Sequence, residues 1–252
     1  MEHIERYESG KIRQKTNTDE DGKLHGEVLT YNEEEKLLSL AHYEHGELSG
    51  DSITFNAEGK EVSRSSFKKG VLHGESVMMD EAGKIAQRAQ FVEGKLQGEM
   101  KIYVDGRLRT QMMYAKGKQN GPFLAFDENG AEVARQFYID GKLEGESIFK
   151  DSQGKILRKV NYRDGRMHGP CIEYHPNGVV RETSTYKDGK RDGEHLTYYD
   201  NGKLRTKSYY KAGELRGEPL EYDDKGNPKP AADAGGKKES RLAKLAARIT
   251  GG

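Results

Sequence analysis

"GKLHGE" occupies Gly22 to Glu27, and near-copies stand at Gly70 ("GVLHGE"), Gly94 ("GKLQGE") and Gly141 ("GKLEGE"). Counting by the opening glycine gives Gly22, Gly46, Gly70, Gly94, Gly117, Gly141, Gly165, Gly189 and Gly213, so every step is 24 residues except one of 23. A second glycine follows four residues later in every unit, from Gly26 to Gly217. A fixed period of this size marks a repeat architecture, in which each unit is one supersecondary element stacked on its neighbours.

Inside the unit the period halves. Large apolar or aromatic residues fall twelve apart at Tyr31, Tyr43, Phe55, Phe67, Met79, Phe91 and Tyr103, then at Tyr114, Phe126 and Tyr138, and again from Tyr162 to Tyr222. Twelve residues make one strand and one turn. The strand after the second glycine alternates: "GEHLTYY" puts Leu196 and Tyr198 on one face, His195 and Thr197 on the other, as period two requires. Lys101 breaks the apolar column of Leu29, Ile53, Val77 and Leu124 just before the 23-residue step, so a bulge or face swap is expected there. Turn chemistry agrees, since "DNGK" at Asp200 and "KDGK" at Lys187 place Asn or Asp before Gly, the pattern of type I′ turns or G1 bulges.

The predicted fold is all-β: an elongated repeat ribbon of about nine 24-residue β-hairpins forming one long twisted antiparallel sheet, plus a short C-terminal helix. Strand spacing would make it roughly 80 Å long. The aromatics line two edges, and each second glycine is expected to leave room for a ring from the preceding strand. Composition points the same way. Of the 252 residues, 33% are hydrophobic and the mean hydropathy is -0.97, too polar for a thick two-layer core. The 14 Tyr and 7 Phe against 6 Pro argue against a disordered chain.

At "GKLHGE", "GKRDGE" and "YYDNGKL" the sequence resembles the MORN repeat, specifically the MORN-variant repeat of bacterial antitoxins of the YwqK type. The resemblance runs from about Tyr7 to Tyr222 and implies a scaffold that binds and neutralises a partner toxin. It carries over no catalytic residue.

Candidate chemistry is sparse. His25, His73 and His168 share one slot of the hexapeptide, but lie about 19 and 38 Å apart by strand spacing, so they cannot share a metal ion. His42 and His45 are sent opposite ways by alternation. Glu27, Glu75, Glu99, Glu146, Glu194 and Glu218 form a solvated row whose like environments suit no acid–base pair. The cations Arg64, Arg88, Arg135, Lys159 and Lys207 are placed to pair with acids across the sheet. Lys+Arg and Asp+Glu balance at 42 each, so a nucleic-acid footprint is missing. The lone Cys171 has no recurring His or Asp partner and rules out an internal disulfide framework. No catalytic residue, cofactor or metal is expected, and the reading is not an enzyme.

Domain organisation follows: 1–21 an N-terminal partial repeat or cap, 22–225 the array, 226–238 a flexible linker, and 239–252 a short basic amphipathic helix, with Leu242, Leu245, Ala246 and Ile249 at helical spacing. The polar start and the lack of any membrane-length apolar run lead to a cytoplasmic expectation. The functional expectation is a non-catalytic antitoxin or immunity-type protein that binds and occludes a toxin or effector, through Tyr162, Tyr174, Tyr186, Tyr198, Tyr210 and Tyr222 and through Arg241, Leu242, Leu245, Arg248 and Ile249 of the tail. The alternative is a scaffold or adaptor linking proteins, with membrane-surface attachment or self-association through sheet edges or the tail helix as further options.

Overall fold

The computed structural model describes residues 1–230, and all regular structure in them is β. The first ten strands are β1 Glu2–Arg6, β2 Ile12–Asn17, β3 Gly26–Tyr31, β4 Leu37–Glu44, β5 Glu47–Phe55, β6 Glu61–Lys68, β7 Val71–Met79, β8 Ile85–Val92, β9 Lys95–Val104 and β10 Arg107–Ala115. The rest are β11 Lys118–Phe126, β12 Glu132–Ile139, β13 Lys142–Leu143, β14 Gly145–Lys150, β15 Ile156–Arg163, β16 Arg166–Tyr174, β17 Val180–Lys187, β18 Lys190–Tyr198, β19 Leu204–Lys211 and β20 Glu214–Glu221. Each pairs antiparallel with the next in sequence, except that β12 takes both β13 and β14, one strand interrupted at Glu144. The meander is a single open sheet. The expected C-terminal helix at 239–252 lies outside the described residues.

Two turn types alternate. At one edge, pairs such as Asp188–Gly189 (φ 51° and 84°) join β17 to β18 by the two-residue type I′ turn that a right-handed strand twist favours. At the other edge the turns have three residues between the last paired residues, as Glu81–Gly83 between Asp80 and Lys84. In Asp80–Gly83 the Gly83 N–H donates to Asp80 O at 2.9 Å and the Lys84 N–H to Asp80 Oδ1 at 2.8 Å, so the carboxylate templates its own turn.

The 23-residue step is a shortened turn. Asp105 and Gly106 (φ 53° and 78°) make a two-residue turn at the edge where neighbouring units have three, and Tyr103 pairs with Leu108 where Met79 pairs with Ile85. Lys101 stays in its row, opposite Arg88 and Gln111. The expected bulge or face swap at Lys101 is therefore corrected. A one-residue slip would turn every side chain of the strand over, whereas a turn can lose a residue without disturbing either face.

The second glycines also differ from expectation. Between β17 and β18, Ser184 pairs with His195 but Tyr186 with Arg191, so Asp192, Gly193 and Glu194 bulge opposite Thr185 alone. Gly193 has φ +121°, and a Cβ there would lie 3.4 Å from Thr185 Cβ; at Gly74 (φ +114°) it would lie 3.0 Å from Ser66 Cβ. The close neighbour is the residue before the aromatic, not the ring. The aromatic in register with Gly193 is Tyr210, of the following strand. These glycines serve a bulge needing positive φ, which corrects the picture of a ring from the preceding strand lying over them.

Among the described residues the sheet is a single layer with two faces and no conventional core. A central row on the first face runs through Val28, Ala41, Ser65, Ser76, Ala89, Ser147, Val160, Cys171, Ser184 and Ser208. Ala89, Ser147 and Val160 are fully buried, because small side chains in mid-sheet are overhung by long neighbours. The second face alternates apolar and cationic positions, with Ile53, Val77 and Ile172 beside Arg64, Arg88 and Lys159.

Candidate interaction surface

The six tyrosines expected to meet a partner are all half-buried, but they do not form one surface. Tyr162, Tyr186 and Tyr210 sit in register with Gly145, Gly169 and Gly193, two positions along the strand from Val160, Ser184 and Ser208, hence on the first face. Tyr174 and Tyr198 end β16 and β18, where alternation from Cys171 and His195 puts them on the second face and at the opposite edge. Tyr222 follows β20 in an isolated bridge with Pro228. The aromatics thus line two edges as expected, and the two ladders also lie on opposite faces. Arg241, Leu242, Leu245, Arg248 and Ile249 lie outside the described residues.

Polar groups converge on the first face of β15–β19 instead. Arg158 lies 3.4 Å from Glu173 and 3.7 Å from Cys171 Sγ, and Glu173 also takes Arg181. Glu182 accepts from Arg191 at 3.1 Å and from Ser184 Oγ at 3.2 Å, and lies 3.5 Å from His195 Nδ1. Arg191 reaches the Tyr186 hydroxyl at 3.3 Å and stands 5.4 Å from the centre of the Tyr210 ring, on which His195 packs edge-on. Burial pushes the His195 imidazole below its ordinary range, Arg191 adds to the effect, and Glu182 opposes it. Ser184 and Glu182 both address Nδ1 of His195. A nucleophilic relay needs the two ring nitrogens to serve different partners, so this trio is a structural network.

Two shallow grooves flank the network, one lined by Leu157, Arg158, Glu173, Tyr174, Pro176 and Arg181, the other including His175, Glu182, Tyr198 and Arg205. Arg181 and Arg205 are the extra residues of β-bulges, which aim side chains off the ladder. The sequence reading missed this cluster. Its signal was Glu173 standing in the column that holds Thr30, Thr54 and Thr197.

On the second face three of the five cations pair across strands as expected, Arg88 with Glu75 at 3.3 Å, Lys159 with Glu146 at 3.9 Å and Lys207 with Glu194 at 2.5 Å, whereas Arg64 and Arg135 pair most closely with Glu61 and Glu132 of their own strands at 2.9 and 2.5 Å. His42 joins the series on Glu27, while His45 turns to Asp19, so the two histidines do part. The hexapeptide's fourth residue is more than a tolerated turn residue. Gln97 and Glu144 accept the backbone N–H of Lys116 and Asp164 at 2.9 Å, and Asp192 that of Ala212 at 3.2 Å. Each caps the left-handed first residue of the next unit's turn.

The architecture defines an open, single-layer repeat sheet. The MORN repeat variant matches at residues 24–45, 167–188 and 191–218, so the chain carries MORN-variant repeats at these three places. No curated protein matches. Among solved structures it is similar to the crystal structure of TcdB2-TccC3-TEV (12% identity, 90% of this chain and 14% of that chain, TM-score 0.22) and to the Photorhabdus luminescens Tc holotoxin pore (13%, 90% and 14%, TM-score 0.22). The chain spans about 14% of the length of those chains.

Proposed function

We propose that this chain is a non-catalytic binding protein of the antitoxin or immunity type, acting in the cytoplasm by covering a toxin or effector. The supporting observation is the single-layer sheet itself. Among the described residues it has no second layer and offers both faces to partners, and on β15–β19 one face carries bulge-borne arginines beside grooves and half-buried tyrosines, the residue types that anchor interfaces. MORN-variant repeats, which serve as interaction modules, fit this use.

Co-expression with growth-inhibiting proteins encoded in the same genome tests the reading. A complex stable through gel filtration and restored growth are expected, and Arg181→Glu with Arg205→Glu should weaken the complex by roughly tenfold or more. Neither complex nor rescue would overturn it. The scaffold reading gains one point from the tyrosine ladders lying on opposite faces, since two surfaces can hold two partners at once.

A further inference from the structure

The first unit differs from the others at the edge where the two-residue turns stack. There β2 and β3 are joined by a three-residue turn, Glu20–Gly22, closed by the Gly22 N–H donating to Asp19 O at 3.1 Å. Asp19 stands three residues before the turn glycine, where the next units have Tyr43 and Phe67. The hexapeptide slot of this unit is His25, and the next turn begins with His45, so the slot-to-turn contact brings two imidazoles together, ring centres 5.3 Å apart. Asp19 Oδ2 lies 2.9 Å from His45 Nδ1. The donor atoms of Asp19, His25 and His45 all fall within 4.8 Å of one another.

We propose that Asp19, His25 and His45 bind one divalent transition-metal ion of the zinc and nickel class. Two imidazoles and one carboxylate suit such borderline ions, whereas calcium and magnesium prefer all-oxygen sets. Ligand bonds of about 2.0–2.2 Å need donors roughly 2.8–3.6 Å apart by octahedral or tetrahedral geometry. The Asp19–His45 pair already meets that. The remaining contraction falls to exposed histidine side chains that rotate freely.

The surroundings favour a site over a chance cluster. Asp19 Oδ1 accepts the N–H groups of Asp21 at 3.1 Å and Lys23 at 2.9 Å, which fixes the carboxylate and leaves Oδ2 directed at the histidines; such outer hydrogen bonds orient metal ligands. The Gly46 N–H donates to Leu24 O at 2.8 Å, so backbone bonds hold the two turns in register without help from the side chains. Three protein ligands leave positions for water or for a donor from a second molecule. Bound metal would tie the β2–β3 turn to the β4–β5 turn, stapling the first hairpins of the sheet.

Calorimetric titration of the tag-free full chain with zinc, nickel and calcium chlorides tests this. One zinc or nickel per chain is expected, with calcium taken far more weakly. Asp19→Asn keeps Oδ1 and its turn, His45→Asn tolerates the left-handed φ, and with His25→Ala each should weaken binding by roughly tenfold or more, while His73→Ala should not. Zinc should also slow amide exchange at Gly46 in the wild type but not in Asp19→Asn. Binding of zinc that survives the triple variant, no zinc binding by the wild type, or preference for calcium would overturn the proposal.

Discussion

Strands β5–β8 and β15–β19 share a backbone and differ in what stands on it. Gly50 pairs with Phe67 and Gly169 with Tyr186, Ser52 with Ser65 and Cys171 with Ser184, and both glycines have φ +98°. On the first face, β5–β8 carries hydroxyl pairs, Thr54 with Ser63 at 2.5 Å and Ser65 with Ser76 at 2.8 Å. On β15–β19 the same columns hold Arg158, Glu173, Glu182 and His195. Glycines and turns specify the sheet, so the faces are free to vary, and charged and titratable groups appear where the columns depart from hydroxyls.

The largest effect should come from what the two regions share. Gly74→Ala and Gly193→Ala each put a Cβ 3.0–3.4 Å from the neighbouring strand at φ above +110°, outside even the left-handed helical region. Each should cost about 2–4 kcal/mol, read as lost amide-exchange protection in the adjoining hairpins. Gly217→Ala, at φ +75° with open space around it, should cost only about 1–2 kcal/mol. If Gly193→Ala proved harmless while Gly74→Ala did not, the two regions would not share one backbone logic.

Most of the fold was legible because its determinants are local. Glycine spacing, Asp or Asn before Gly, and period-two alternation sit within a few residues of one another. The bulges were not legible, since a register shift depends on how two strands meet: Asp192–Glu194 opposite Thr185 cannot be read from either strand alone. The same gap hid Arg181 and Arg205 as outward-aimed bulge residues. It also misassigned the ring that faces each second glycine. The Asp19, His25 and His45 cluster escaped because slot residue and turn residue lie 20 apart in sequence, and contact between stacked turns appears only once the edge is built.

A middle-sized effect should separate the regions by pH. His195 is held below its ordinary value by burial, so its neutral form favours the folded state. Its contribution is fully present above the unfolded value of about 6.5 and is lost as pH falls through the lower folded value. Exchange protection of β17–β19 should therefore decline from pH 7 toward pH 5 more than that of β5–β8, whose first-face row holds no histidine. His195→Asn should flatten the difference. An unchanged profile in that variant would mean His195 is not the group responsible.

The smallest effect belongs to the second face, where the regions are alike. Arg88 with Glu75 and Lys207 with Glu194 span neighbouring strands diagonally, with all four side chains more than a third exposed. Water screens such pairs, and ordering two long side chains offsets much of their attraction. Lys207→Gln and Arg88→Gln should each leave urea-dependent exchange of their hairpins nearly unchanged, with any difference shrinking further in high salt. A clear loss of protection in only one region would show that the second face, too, has diverged there, and that Lys207 or Arg88 holds its neighbouring strands in a way that the exposed ladder geometry does not provide.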